Sequence, residues 1–388
     1  MAVGTSMPRR AAGAGTSGRT DLAAAWRHVD LSLVISTLVV SVLGLVMIYS
    51  ATRTRLAAQG INPHYYVERQ AVFVAIGLVV LVFCAAVDYR FFLEFSPVLY
   101  MGTVLLLLAV LSPIGSRSKG AQAWFQLGSY QFEPSEIAKI ALVVCLAAYC
   151  ASHRGELDGR RLMVVLGLGA IPFALIYVQP NLGTSLILLA LLLSMLLIGG
   201  ARPRHLLGLT LLGVIGIVVV LQLGVLKEYQ VQRLTAFLDT KPNSQGSTYN
   251  LQQSQIAIGH GGTFGRGLFR GSQTNLSYVP EQHTDFIFTA VGEQLGFVGS
   301  ALLLALFGWM VWRTWRTATL AKDLGGTLLC VGVLAILVFQ IFVNVGMTMG
   351  IMPITGIPLP FMSYGGTATV AGFASIGLVL NVHMRRFA

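Results

Sequence analysis

Apolar runs of roughly 20 residues, each bounded by a few polar, glycine or proline positions, recur along almost the whole chain. A helix rising about 1.5 Å per residue crosses a bilayer core in such a length. Ten segments have this form, at about 31–51, 70–87, 96–113, 136–152, 163–178, 184–199, 206–226, 285–312, 325–349 and 364–383. The pattern predicts an all-α polytopic membrane protein of about ten transmembrane helices. Three connections depart from it. The segment 227–284 is too long for a simple connector, and LQQSQIAIGHGGTFGRGLF within it mixes a helix-like apolar pattern with glycines, which predicts a large, partly ordered loop between helices seven and eight. WFQLGSYQFEPSE, 124–136, is amphipathic and aromatic, as expected of a segment lying in the membrane interface. MPITGIPLPFMSYGG, 352–366, carries three prolines and ends on a glycine pair, so it is expected to be irregular backbone sheltered by protein.

Composition narrows the class. With 55% hydrophobic and 11% charged residues among 388, a water-soluble globule is excluded. Residues 1–30 are small, polar and basic without an apolar core and cleavage site, and are expected to form a disordered cytoplasmic tail. Cys84, Cys145, Cys150 and Cys330 all lie in apolar runs, so neither a disulfide framework nor zinc is expected. The net charge of +11 has no basic soluble domain to carry it, which points to anionic membrane lipid and away from nucleic acid. With the N-terminus inside, the short inside segments hold 15 basic residues and the short outside segments hold 5. This bias predicts both termini in the cytoplasm and the 227–284 loop outside the cell. No internal repeat stands out, which disfavours a transporter of repeated halves.

Acidic residues number fifteen, so a carboxylate at or within a span is informative. A charge there is costly unless it is paired or faces water. Glu136 and Lys139 are three apart at the start of span four and share a helix face. They form either a structural ion pair or a presented cation with its orienting acid. Asp285 follows Pro280, Glu281, His283 and Thr284 and leads into FIFTAVGEQLG. Local sequence allows a helix cap at Asp285 or Thr284, or a carboxylate at the mouth of a site beneath the long loop. Glu293, deeper on the same helix, packs beside Gly292 and Gly296 or takes part in chemistry. The run GHGGTFGRG, 259–267, lacks the register and the Lys-Ser/Thr of a phosphate loop, and tight turning is its expected use.

Taken in order, FEPSEIAKI (132–140), QPNLGT (179–184), YNLQQSQIAIGHGGTFGRG (249–267), VPEQHTDFIFTAVGEQLG (279–296) and ITGIPLPFMSYGG (354–366) resemble the signature blocks of the SEDS family of bacterial cell-wall polymerases. The resemblance spans about 31–384, and the last block is closer to the RodA elongation branch than to the FtsW division branch. It implies a ten-helix peptidoglycan glycosyltransferase of the cytoplasmic membrane that joins lipid II into glycan strands on the outer face. It also implies a single-pass class B penicillin-binding transpeptidase as partner. The family's essential acid falls on Asp285, its Glu/Lys pair on Glu136 and Lys139, and its loop arginine on Arg233. One position departs: Asn181 stands where the family usually has an aspartate, which leaves only hydrogen bonding or neutral help with a cation to that side chain.

The implied reaction asks for a carboxylate that takes the proton of the attacking 4-hydroxyl, and Asp285 is the candidate. The departing diphosphate needs positive charge, for which Lys139 and Arg233 are the candidates, with or without a divalent cation such as Mg or Mn. Backbone N–H groups of the turn Ser363, Tyr364, Gly365 and Gly366 are a further candidate anion cradle. Two readings compete with polymerisation: a lipid II flippase, which requires a polar path through the whole bilayer, and a non-catalytic membrane scaffold of the cell-wall complex.

Overall fold

The computed structural model describes residues 28–118, 121–153, 157–222 and 247–386. Each expected span holds a helix: α1 (Leu31–Ala58), α2 (Tyr65–Ala86), α4 (Ser96–Leu111), α5 (Pro134–Ser152), α6 (Gly159–Val178), α7 (Leu182–Ile198), α8 (Pro203–Gln222), α11 (Ile287–Thr319), α12 (Leu324–Met349) and α13 (Gly366–Arg385). Three short helices join them: α3 (Tyr89–Glu94), α9 (Ser247–Gly261) and α10 (Ser272–Asn275). Among the described residues α1, α2, α5, α6, α11, α12 and α13 have the length and apolarity to cross a membrane, while α4 and α7 are apolar but shorter. The protein is a multi-pass membrane protein. α5 and α12 form the middle of the bundle, with Leu142, Leu146, Leu328 and Leu329 fully buried, whereas α2 and α6 turn Val79, Phe83, Met163 and Val178 outward, as lipid-facing helices do.

The expected interfacial segment is instead part of a small antiparallel sheet, β1 (Ser116–Ser118), β2 (Ala121–Leu127) and β3 (Tyr130–Phe132). Leu127 pairs with Tyr130 across the two-residue turn Gly128–Ser129, so the alternation of aromatic and polar residues there belongs to a hairpin. The hairpin marks one end of the bundle.

The eighth span begins at Ile287, two residues later than expected, and is broken at Gly296 (φ 67°, ψ −163°). The break is filled by the long connection: Phe297 N–H donates to Gly262 O at 2.9 Å and Val298 N–H to Thr263 O at 3.0 Å, while Arg266 and Gly267 N–H donate to Glu293 and Gln294 O at 3.0 Å. Gly265 (φ 81°) faces Gly296 with their backbones in contact, and a Cβ on either would overlap the other strand. The glycine run 259–267 therefore serves as backbone for a close crossing.

The connection 352–366 is irregular, as its prolines predict. Its polar backbone is satisfied from the protein: buried Asn344 on α12 donates to Ile357 O at 2.7 Å, and Ser363 Oγ accepts from Leu359 N–H at 2.9 Å. The first 27 residues lie outside the described residues. Asp30, grouped by sequence with the tail, is folded: it is buried, accepts Leu33 N–H at 3.2 Å and receives Arg313 Nε at 2.7 Å.

Candidate active site

At the hairpin end a cavity of about 490 Å³ is enclosed by the N-terminal turns of α2, α5, α7 and α13, the hairpin, the segment ahead of α11 and residues 355–358. Asp285 lines it. The N-cap position of α11 is Phe286, whose side chain makes no cap bond, and Asp285 stands one residue before it. The backbone at Asp285 is pinned: its N–H donates to Glu281 O at 3.2 Å and its carbonyl accepts Asn344 Nδ2 at 2.8 Å. Asn344 thus ties the base of the cavity to residues 285 and 357 at once.

Thr284 shares this wall, with its hydroxyl donating to Glu281 O at 3.1 Å. Glu281 and His283 do not join them. Both line a neighbouring cavity of about 480 Å³ with Arg55 and Gln59, the two cavities meeting at Tyr65 and Tyr66. The His283 ring packs between Tyr66 and Tyr364, with centroids 4.6 and 5.7 Å away, and its carbonyl accepts the Tyr364 N–H at 2.9 Å. Glu281 holds φ 52°, a strained value for a non-glycine residue that its carbonyl, accepting from Thr284 and Asp285, helps to maintain.

Glu136 and Lys139 form a buried ion pair at 2.8 Å. Glu136 borders the cavity, but Lys139 does not; its ammonium lies behind the carboxylate, over a small pocket of about 30 Å³ lined by Ser363, Gln340 and Pro358. The expectation that Lys139 faces the ligand directly is therefore corrected to one of support through Glu136. Arg233 lies outside the described residues. The anion cradle expected at 363–366 is corrected as well, since three of its N–H groups are already used: Ser363 by Leu359 O at 3.1 Å, Tyr364 by His283 O, and Gly365 by Gln70 Oε1 at 3.2 Å. Gly366 opens α13 at the cavity wall. Glu293 receives Gln273 N–H at 2.7 Å, Thr274 N–H at 2.9 Å and Thr274 Oγ at 2.6 Å, so it anchors α10 and not a ligand.

Over residues 30–387 the sequence matches the model of the FTSW_RODA_SPOVE family, described as cell cycle protein. The chain belongs to this family. It is 35% identical to stage V sporulation protein E of Bacillus subtilis (strain 168), covering 91% of this chain and 96% of that one. It is also 35% identical to peptidoglycan glycosyltransferase MrdB of Escherichia coli (strain K12), covering 92% and 94%. Its fold superposes with TM-score 0.78 and 31% identity on a chain from a structure described as "Structural coordination of polymerization and crosslinking by a peptidoglycan synthase complex", covering 93% of this chain and 99% of that one.

In this family member two cavity residues, Arg69 and Glu133, and two buried residues that brace the walls, Gln70 and Asn344, escape sequence reasoning. Arg69 lines the cavity, donates Nη1 to Ser129 O at 2.8 Å and stacks over Tyr65 at 4.0 Å. Gln70, fully buried, bridges α2 to Thr369 Oγ at 2.8 Å and to the 363–365 backbone. Asn344 is described above. Glu133 accepts Asn181 Nδ2 at 2.9 Å. Asn181 uses its other end as the cap of α7, with Oδ1 accepting Thr184 N–H at 3.2 Å. Among the described residues no three His, Cys, Asp or Glu side chains converge as a metal-ligand set. The residues present therefore do not fit a preformed divalent site, and no chemical step is assigned to one.

Proposed function

We propose that the chain is a peptidoglycan glycosyltransferase that polymerises lipid II into β-1,4 glycan strands for cell elongation and shape. It sits in the cytoplasmic membrane with both termini inside and the hairpin end, with its cavity, on the outer face. One observation carries the reading: the polar cavity holding Asp285 runs into an apolar groove of about 390 Å³. Phe73, Tyr130, Gly366 and Thr367 border both, and the groove continues down α2, α4, α5 and α13 past Ile76, Val80, Leu99, Val144 and Ala374. A polar chamber joined to a lipid-facing apolar groove fits a substrate with a sugar headgroup and a polyprenyl tail. The chamber lies within the range of about 300–1,000 Å³ that encloses a small organic ligand.

Chemistry follows from placement. The acceptor 4-hydroxyl is a weak nucleophile until a carboxylate takes its proton, and Asp285, pinned through its backbone at the cavity wall, does so as the new bond forms. The bond from the anomeric carbon to the diphosphate breaks, and undecaprenyl diphosphate leaves with the electron pair. Arg69 at the wall offers that anion the guanidinium that Lys139, turned onto Glu136, does not. A class B penicillin-binding transpeptidase is the expected partner that cross-links the strands.

The test is lipid II polymerisation by the purified protein in detergent, wild type against Asp285→Ala, with thermal melting to show that both are folded. Polymer from wild type alone is the expected result. Undiminished polymer from a folded Asp285→Ala protein removes the assignment; transport of lipid II across sealed vesicles without polymer favours a flippase, and neither activity favours a scaffold.

A further inference from the structure

Glu133 immediately precedes α5, yet its side chain takes no N–H of that helix. Oε1 instead accepts two donors, Ser135 Oγ at 2.6 Å and Asn181 Nδ2 at 2.9 Å. Its backbone N–H is fixed separately by Thr367 Oγ at 3.1 Å. Ser135 of α5 and Asn181 at the start of α7 therefore hold the carboxyl, and Thr367 of α13 its backbone, in the wall of the cavity that contains Asp285. Two donors on Oε1 leave Oε2 as the oxygen that carries a proton when the group is neutral.

We propose that Glu133 is a substrate-positioning group for an anionic diphosphate: neutral, it donates Oε2–H to a diphosphate oxygen, and ionised, it repels the same ligand. The inference rests on the reading of the cavity as the seat of a lipid-linked sugar diphosphate. Burial, and after it the Glu136 carboxylate, push the Glu133 carboxyl up to about 7, while Ser135, Lys139 and Trp124 pull the other way without cancelling them. The remaining charged or titratable groups on this cavity are Arg69 on α2, Asp285 ahead of α11, and Tyr65, Tyr66, Tyr130 and Tyr364. Because the ordinary carboxylate range lies near 4, an unperturbed glutamate would be ionised throughout neutral conditions and would have no proton to offer. Here the neutral form predominates below about pH 7 and is lost above it. Affinity for the diphosphate is accordingly full on the acid side and falls on the alkaline side.

The experiment measures KM and kcat for lipid II with the full-length chain in detergent, between about pH 6 and about pH 8.5. The diphosphate of lipid II is esterified at both ends, so its own charge is constant over this range. Wild-type KM is expected to rise roughly tenfold with kcat nearly unchanged, the signature of weakened binding without weakened chemistry. Glu133→Gln keeps an acceptor for Ser135 and Asn181 and carries a permanent N–H donor, so its KM should stay at the low-pH wild-type value throughout. Asn181→Asp sets a second acid beside Glu133 and should move the rise in KM to higher pH. A flat wild-type KM, or Glu133→Gln following the wild-type profile, overturns the inference while leaving polymerisation intact. Should Glu133→Gln fail to fold, an unshifted Asn181→Asp profile overturns it instead. No polymer from the wild type at any pH refutes the functional reading and this inference together.

Discussion

The two ends of the bundle use their acidic residues in opposite ways. At the end away from the hairpin, Asp30, Asp88 and Asp323 each cap a helix, accepting Leu33, Arg90 and Gly326 N–H groups, and each is also tied to an arginine: Arg313, Arg385 and Arg90. Asp323 further accepts the Tyr89 hydroxyl at 2.5 Å. At the hairpin end, Glu133 stands ahead of α5 without a side-chain cap bond, and Asp285 stands one residue before the N-cap Phe286 of α11. Both line the cavity of about 490 Å³. A carboxylate spent on a helix start and a guanidinium has its proton affinity fixed by those partners; one placed in a cavity wall stands within reach of a ligand.

Four changes test that contrast, in order of expected effect. Asp285→Asn preserves size and removes the proposed base; polymerisation should fall by a factor of about 10² to 10⁴ with an unchanged melting temperature, measured by product gel and thermal scan. Lys139→Met addresses the intermediate case, a buried pair at the edge of the cavity. It strands Glu136 in a buried site, and stability should drop by about 3 kcal/mol, with activity per folded molecule falling too. Arg313→Met removes the partner of Asp30 at the opposite end, where the pair is partly solvent-accessible on the arginine side. A loss of about 1–3 kcal/mol with normal activity per folded molecule is expected, and a catalytic defect would erase the distinction between the ends. Asp323→Ala should cost about 1 kcal/mol for the lost cap and leave KM untouched.

The capped end also makes a pH statement. Burial alone would raise the Asp30 carboxyl, but hydrogen bonds from Ser32, Arg313 and Leu33 hold it below the usual carboxylate range. A depressed carboxylate adds stability above its unfolded value, near pH 4, and the contribution is lost as pH falls through the folded value. Acid melting of the wild type should therefore steepen below about pH 4, and Asp30→Asn should flatten that limb.

The ten spans were legible because about 20 consecutive apolar residues permit little else in a membrane protein. The Glu136–Lys139 pair was legible because a spacing of three places both on one helix face. The helix break at Gly296 was not, since an isolated glycine in an apolar run reads as continuous helix until a second strand of backbone, here 262–267, is seen to occupy the gap. The hairpin is not legible because only β2 has the length to show an alternation, and a single run of mixed aromatic and polar residues reads equally as an amphipathic segment in the interface until its three-residue partner β3 is paired with it. Glu133 went unnoticed because its partner Asn181 is 48 positions away, and Arg69 because its neighbours Ser129 and Tyr130 come from the hairpin. Contacts across that distance have no periodic signature.

The interrupted α11 has a mechanical consequence. Residues 287–295, the short rod that follows Asp285, accept two main-chain bonds from the 259–275 segment, Arg266 N–H to Glu293 O and Gly267 N–H to Gln294 O, and Glu293 clasps Thr274. On the other side of Gly296, Phe297 and Val298 N–H donate to Gly262 and Thr263 O. The long connection thus lies across the fracture as a splint, and the alignment of the rod with its shaft is set by a second strand of backbone as well as by the helix itself.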